Sequence, residues 1–289
     1  MKKILVIADP HGSKQRAVVR GAELGASLGA KVDVAGFVYE HLANLPVDVD
    51  ARALNKAQSE LVAKQKEAIE KALGGAGKSV RSIKVYWEKR VADRVIELAS
   101  EKSYDVVIKG GHRSESLTYT PTDWQLLRSC RVPVLLLSEK HWKKSHNVLA
   151  AVDLGTKVRS KFELNYKVVE QAAVMAAALG SKLHVAYAVP FSRVLRDLGL
   201  LNRRQVQREG EQRAEKFRAS LEERGIAVEA IHVATGAPEK VLINLAAENK
   251  AELVVLGTVG RKKLVGRVLG NTAEQILRLL KADVLAIKP

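Results

Sequence analysis

With one cysteine in 289 residues, the chain can form neither an internal disulfide framework nor a thiolate metal cluster. Cys130 reads instead as a small apolar side chain near the end of a helix. Aromatic residues make up only 4%. That argues against nucleic-acid binding by stacking, which interleaves aromatic rings with basic groups. No apolar run approaches the roughly 20 residues that span a bilayer, so a membrane is not an expected partner. The start, MKKILVIAD, is basic and then apolar, but Asp9, Pro10, His11 and Gly12 end the apolar part after about five residues, too early for a secretory core. The expected location is the cytoplasm. Acidic residues are also in deficit, 32 against 48 basic ones, which leaves a net charge of +16. The basic residues are spread along the chain, so the charge is a bias toward anions rather than a track for a polyanion.

Familiar active-site signatures are missing too. Neither a G-x-x-x-x-G-K-[ST] loop nor a G-x-G-x-x-G turn follows the first strand. The histidines at 11, 41, 112, 141, 146, 184 and 232 have no metal-ligand spacing, and no Ser-His-Asp or Cys-His arrangement has support. His184 and His232 fall in strands, where core or edge roles are expected. Phosphoryl hydrolysis would need a dedicated base, and none is evident.

What is present is an alternation of short apolar runs with helical periods. Strands are expected at residues 2–8, 31–38, 79–85, 104–109 and 132–137, with helices at 13–30, 52–73, 91–100 and 122–131. Gly29 and the GGAG at 74–77 act as helix stops. Residues 138–147, SEKHWKKSHN, break the apolar pattern, and the order then begins again. Strands are expected at 148–152, 183–188, 226–233, 253–256 and 284–287, and helices at 162–179, 203–224 and 238–247. Buried-looking strands alternating with helices predict parallel sheets covered on both faces.

The two halves repeat each other. LVIADP around Asp9 matches LAAVDL around Asp153, YDVVIKGG at 104–111 matches AELVVLGT at 251–258, and the segments beginning at 120 and 270 also match; the offsets are 144, 147 and 150 residues. Two duplicated domains, 1–140 and 146–289, are the simplest account.

Ligands of doubly wound sheets collect beyond the carboxyl ends of the strands, where strand order reverses. Asp153, Thr235, Gly236 and Gly257 would face such a crevice. Gly257, Gly260 and Gly270 follow G-x2-G-x9-G, with Asn271 and Thr272 at the expected helix start. Glycines let backbone N–H groups converge on an anion, and a helix start adds unpaired N–H groups. The same glycines could simply make tight turns. Arg261, Lys262, Lys263 and Arg267 lie in the loop and would either neutralise phosphates or form a solvated basic loop. Asn271 would serve as an N-cap, a ligand donor or both. The first half keeps Asp9 and Gly110 but has Thr120 and Pro121 where the second has Gly270 and Asn271, and proline has no N–H to donate. His112 with Arg113 would bind an anion by side chains or be ordinary loop residues. His11 beside Asp9 is equally ambiguous, and Asp123 would cap the helix through 131.

This loop, with VVLGTVG at 254–260 and LGNTAEQ at 269–275, resembles that of the universal stress protein family, whose nucleotide-binding members carry G-x2-G-x9-G-[ST] after the fourth strand. The resemblance covers the whole chain as two tandem domains. It implies two flavodoxin-like (adenine nucleotide alpha hydrolase-like) α/β domains, each with a five-stranded parallel sheet covered by helices. It further implies a stress-response protein that binds ATP with Mg, or a related nucleotide, as a regulatory ligand. Asp153 would make ribose or metal-linked contacts, backbone near Val189 and Val233 would contact the base, and Gly257, Gly260 and Gly270, with Arg261, Asn271 and Thr272, would surround the phosphates. Asn271 departs from the serine or threonine of the pattern. A weak ATPase, or a module that binds a protein or an apolar small molecule at its first domain, is the alternative. The resemblance also implies pairing of the two domains within the chain through Val134–Leu137 and Val284–Ile287, and is compatible with a homodimer.

Overall fold

The structure is a computed structural model that describes every residue except 11–13, 42–49, 112–120, 139–146, 259–260, 263–266 and 269–270, and omits the side chains at 121, 193, 195, 261, 262, 267, 268, 271 and 272. Two units emerge, the first built on Met1–Gly111, Pro121–Leu126 and Cys130–Leu137 and the second mainly on Ser138–Pro289.

In the first unit, β1 (Lys3–Ile7), β2 (Lys31–Val38), β3 (Val80–Trp87), β4 (Val106–Gly110) and β5 (Val134–Leu137) form parallel pairs in the order β3-β2-β1-β4-β5. Between them lie α1 (Arg16–Leu28), α2 (Ala51–Leu73), α3 (Val91–Glu101) and α4 (Pro121–Ser129). The alternation of parallel strands with helices matches the expectation. Their order is not the flavodoxin order 2-1-3-4-5, because here the second and third strands lie successively on one side of the first. Crossovers between parallel strands are right-handed, so helices made on the way from β1 to β3 cover one face and those made after the reversal cover the other. α1 accordingly packs on β1 and β4, and α2 on β2 and β3. Ile4 to Ile7, Val106 to Ile108 and Val134 to Leu137 are buried between the two helical layers.

In the second unit, β6 (Asn147–Val152), β7 (Leu183–Val189), β8 (Ala230–Thr235), β9 (Ala251–Gly257) and β12 (Asp283–Ile287) repeat this order as β8-β7-β6-β9-β12, again with all pairs parallel. The helices are α5 (Arg159–Leu179), a short α6 (Arg193–Asp197), α7 (Arg203–Glu223), α8 (Pro238–Glu248) and α9 (Asn271–Leu279). Phe162 and Tyr166 of α5 pack edge-on or tilted against Phe217 of α7, joining the two helices over the sheet. Every residue of β7 is buried, as a central strand covered on both faces must be.

The ends of the elements follow local chemistry. Gly29 and Gly180 stop α1 and α5 at φ 61, a left-handed conformation that glycine adopts without steric cost. Two expectations shift. The GGAG stop continues as a 3-10 turn over Gly74–Ser79, and the strand expected at 226–233 begins only at Ala230 and runs to Thr235. The reason for the second shift is the end of α7. Gly225 sits at φ 69 and Ile226 N–H returns to the Leu221 carbonyl, so the chain is still closing the helix there. The basic loop also contains a feature its sequence does not signal, an antiparallel pairing of β10 (Arg261–Lys262) with β11 (Arg267–Val268).

Candidate functional site

Strand order in the second unit reverses between β6 and β9, so the open crevice lies between the residues that follow Val152 and Gly257. Asp153 stands at one lip. Its backbone is clamped by the buried Asn165 of α5, whose amide nitrogen donates to the Asp153 carbonyl at 2.9 Å and whose amide oxygen accepts the Asp153 N–H at 2.9 Å. The side chain is exposed, and its carboxylate accepts the Gly155 N–H at 3.1 Å. Asp153 therefore presents an anionic group on a fixed backbone.

The matching residue of the first unit is used differently. Asp9 is buried, and its carboxylate accepts the Ala17 N–H in the first turn of α1 at 2.8 Å. Its carbonyl accepts from Gln15 at 2.8 Å and from Gln65 of α2 at 2.9 Å. A carboxylate at a helix N-terminus stabilises the helix, which makes Asp9 a structural residue. The fourth strand of this unit differs as well. Lys109 is mostly buried and pairs at 2.8 Å with Asp123, which is fully buried. The duplication sets Leu256 and Ala273 at these two positions in the second unit. Asp123 is the third residue of α4 and an ion-pair partner, not the cap expected for it. Pro121 opens α4, while His11, His112, Arg113 and Thr120 lie outside the described residues.

Gly257 ends β9, and packing alone accounts for its identity. A methyl group there would lie 2.6 Å from Leu164 Cδ2 and 3.0 Å from Leu164 Cγ, so α5 approaches the strand as closely as it does only because no Cβ is present. The next residue, Thr258, is buried and tied to β12 through its N–H and hydroxyl, both on the Ile287 carbonyl. Gly260 and Gly270 lie outside the described residues. For Arg261, Asn271 and Thr272 only the backbone is described: Arg261 is in β10, and Asn271 opens α9 as its first residue.

Val189 ends the second strand as expected, whereas Val233 lies two residues before the end of the third, and both carbonyls are engaged. The Val189 carbonyl accepts the Gly236 N–H at 3.0 Å, and the Val233 carbonyl accepts from the Gln207 amide at 3.0 Å. A base recognised there would use the second lone pair of each oxygen. Beside Val233 is a shallow depression of about 620 Å³, lined by Arg203, Arg204, Gln207 and Arg208 together with the end of β8. It lies at the outer strand of the sheet, two strands away from the crevice.

Sequence reasoning missed three side chains at the crevice. Tyr187 of β7 is fully buried, and its hydroxyl has no hydrogen-bond partner of acceptable geometry. Burial raises its pKa, and the Arg213 guanidinium of α7 opposes the rise. Asn165 was missed as well. An apolar-period reading hides all three, because Tyr187 looks like strand core and Asn165 and Arg213 look like ordinary polar positions of amphipathic helices.

At the opposite, amino-terminal end of the sheets the duplicated units diverge again. In the first, Asp33 of β2 is buried and receives hydrogen bonds from Arg81, from Ser82 at 2.7 Å and from Tyr104 at 2.7 Å. Burial alone would raise its pKa, but these donors outweigh it and hold the carboxyl at about 2. Leu5 pairs with Asp33 and Leu149 with His184, so His184 is the counterpart of Asp33. His184 and His232 meet ring nitrogen to ring nitrogen at 3.0 Å. Burial lowers the pKa of both, and each is further tuned by neighbours, His184 downward by His232 and His232 upward by Glu248. His184 is buried and His232 is half-buried on the outer strand of its unit, the core and edge roles expected of them. Among the described residues no group of three or more His, Cys, Asp or Glu side chains could hold a metal ion, and no helix is long and apolar enough to cross a membrane.

Fold and crevice together define a tandem α/β protein with a polar switch-point site in its second unit and a structurally committed counterpart in its first. The chain belongs to the universal stress protein family, which matches residues 1–138 and 145–288. Within it the chain resembles universal stress protein E. It is 30% identical to the universal stress protein E homolog of Haemophilus influenzae, covering 100% of this chain and 97% of that one. It is 31% identical to universal stress protein E of Escherichia coli K12, over 100% of this chain and 94% of the relative. A crystal structure of a protein of unknown function from Pseudomonas aeruginosa PAO1 shares the fold with a TM-score of 0.71 at 24% identity, covering 100% of this chain and 93% of the other.

Proposed function

We propose that this universal stress protein binds ATP or a related nucleotide in its second unit, as a regulatory ligand rather than a substrate for turnover. The observation that carries the reading is the contrast between the two first-strand aspartates. Asp9 is spent on capping α1, whereas Asp153 is held by Asn165 with its carboxylate exposed at the switch point. A carboxylate so placed suits ribose hydroxyls or a metal carried by the phosphates. The Gly257–Gly270 loop and the start of α9 would supply N–H donors and positive charge to the phosphates, with Gly260, Arg261, Asn271 and Thr272 as the nearest groups. Base recognition would fall to the backbone at Val189 and Val233. Magnesium would find one protein carboxylate, Asp153, and would take its remaining ligands from phosphate and water, a usual arrangement for that ion. The first unit would then be a structural partner or a module for another ligand.

Native mass spectrometry of freshly purified protein, with and without ATP and magnesium, tests this. One nucleotide per chain is expected, lost on Asp153→Ala. No adduct over a broad concentration range would refute it. Phosphate release that depends on Asp153 would convert the regulatory reading into a weak ATPase.

A further inference from the structure

We propose that Val194, Leu198 and Leu200, together with the arginine-rich start of α7, form a docking face for an anionic membrane surface, on which the second unit rests without crossing the bilayer.

The basis is a concentration of exposed aliphatic side chains. Val194 is 67% exposed, Leu198 66% and Leu200 69%, the three highest values among the described large apolar residues. An apolar residue exposed singly is ordinary, but three within seven positions mark a contact surface. The segment is built to present them. Val194 and Leu198 stand one helical turn apart, and the Leu198 N–H returns to the Val194 carbonyl at 3.0 Å. Beyond Leu200, the Asn202 side chain caps α7 by accepting the N–H groups of Arg204 at 2.9 Å and Gln205 at 3.3 Å. Arg203 Nε donates to the Thr235 hydroxyl at 2.9 Å and so ties the start of α7 to the end of β8.

Charge selects the occupant. Residues 191–208 contain five arginines and one aspartate. Arg196 pairs with Asp197 at 2.6 Å, whereas Arg203, Arg204 and Arg208 stand exposed around the depression beside β8. A second copy seated symmetrically on this face would set these arginines against their own counterparts, in a chain that already carries +16. An anionic partner removes that repulsion. Duplication gives the same sign: the connection at 39–50 in the first unit holds Glu40, Asp48 and Asp50 and no lysine or arginine, while that at 190–202 holds Arg193, Arg196 and Asp197. The preference for anions thus belongs to the second unit.

Exposure then separates a bilayer from an acidic protein. Aliphatic side chains left two-thirds exposed project from the surface, and a protein would need a matching pocket for each. A bilayer needs none, because the aliphatic tips enter the acyl boundary while the arginines stay among lipid phosphates, which a guanidinium meets with two donors. No described helix is long and apolar enough to cross a membrane, and a contact of this kind requires none.

The test is flotation of the full chain with vesicles of equal phosphatidylglycerol and phosphatidylcholine, and with vesicles of phosphatidylcholine alone. Binding to the anionic vesicles only is expected. Because a net charge of +16 attracts any anionic surface, variants carry the test. Leu198→Ser with Leu200→Ser keeps every charge and should weaken binding at least about tenfold. Arg204→Gln with Arg208→Gln should weaken it by about fivefold per arginine. Leu279→Ser in α9, and Lys64→Gln with Lys71→Gln in α2, alter exposed residues elsewhere and should stay within about threefold of wild type. No binding to anionic vesicles, equal binding to neutral ones, a leucine pair within about twofold of wild type, or an equal loss for the lysine pair would overturn the proposal. A dimer in sedimentation velocity that the leucine pair dissolves would also overturn it and give the face to a second copy.

Discussion

Gly257→Ala separates a packing role from a ligand role at the first glycine of the loop. The added methyl group would sit 2.6 Å from Leu164 Cδ2, 3.0 Å from Leu164 Cγ and 3.6 Å from Val168 Cγ2. Relaxed carbon contacts need about 3.5–4.0 Å, so α5 and β9 must part by about 1 Å, or the buried Leu164 must leave its rotamer. Overpacking of this kind costs about 1–3 kcal/mol. Alanine recovers about 0.5–1 kcal/mol through the smaller entropy of the unfolded chain. Clash therefore outweighs propensity over nearly all of this range, and the net loss is up to about 2.5 kcal/mol, centred near 1, which at this size is up to about 10 °C in melting temperature. Leu164→Ala alone should cost about 2–5 kcal/mol by leaving a cavity. In the double variant the new methyl group occupies part of that cavity, so the combined loss should fall short of the sum by about 1 kcal/mol or more. Thermal and urea unfolding of the four proteins, followed by circular dichroism, give the cycle. A rise in melting temperature for Gly257→Ala, or strict additivity in the double variant, would refute the packing account and leave the glycine to the ligand.

Three other consequences can be measured with the same instruments. Asn165→Ala removes both bonds that clamp Asp153 and should cost about 1–2 kcal/mol while weakening nucleotide binding; unchanged stability and affinity would mean that the turn holds itself. Asp33 is held at about 2, below its ordinary 3.8, so its contribution is complete above pH 3.8 and is lost as pH falls toward 2. Screening through the half-exposed Arg81 limits this to about 1–2 kcal/mol, and Asp33→Asn should flatten the urea midpoint over that acid range; an identical acid profile would rule the network out. For His184 and His232 the folded pKa values lie below the ordinary 6.5, so stability is complete above that pH and declines as pH falls below it, because protonation favours the unfolded chain. Glu229 beside the pair is held below the usual carboxylate range by its hydrogen bond with Lys182, so it stays ionised over this range. The wild-type urea midpoint should drop between pH 7.5 and 5, and His232→Gln should reduce the drop; a flat wild-type profile would contradict the burial of the pair.

Much of the fold was legible because its signals are local. Strand β2 and helix α3 begin where alternation and helical period say they should, and Gly29 stops α1 in the conformation that glycine favours. The matched halves announced the duplication, since LVIADP and LAAVDL each place an aspartate just after a first strand. Errors arose where distant packing decides the outcome. The start of β8 waits for the Gly225 turn to close α7, and Asp123 is drawn into the helix by Lys109 from another strand. The strand order, too, depends on which side of β1 the chain takes after its first crossover, and no short-range pattern encodes that.

At the site the same division holds. Sequence alone determined that an aspartate ends the first strand of each half, that glycines follow the fourth strand of the second, and that the family's loop is kept in one half and altered in the other; these are matters of residue type and spacing. Only the tertiary structure decided that Asp9 caps a helix while Asp153 stays exposed, that Gly257 is required by Leu164, and that Tyr187 and Arg213 converge on Gly155. The physical reason is that a carboxylate, a hydroxyl or a glycine takes its role from the atoms within hydrogen-bond or van der Waals reach. Those atoms come from helices and strands that are neighbours in space but lie tens of residues apart along the chain.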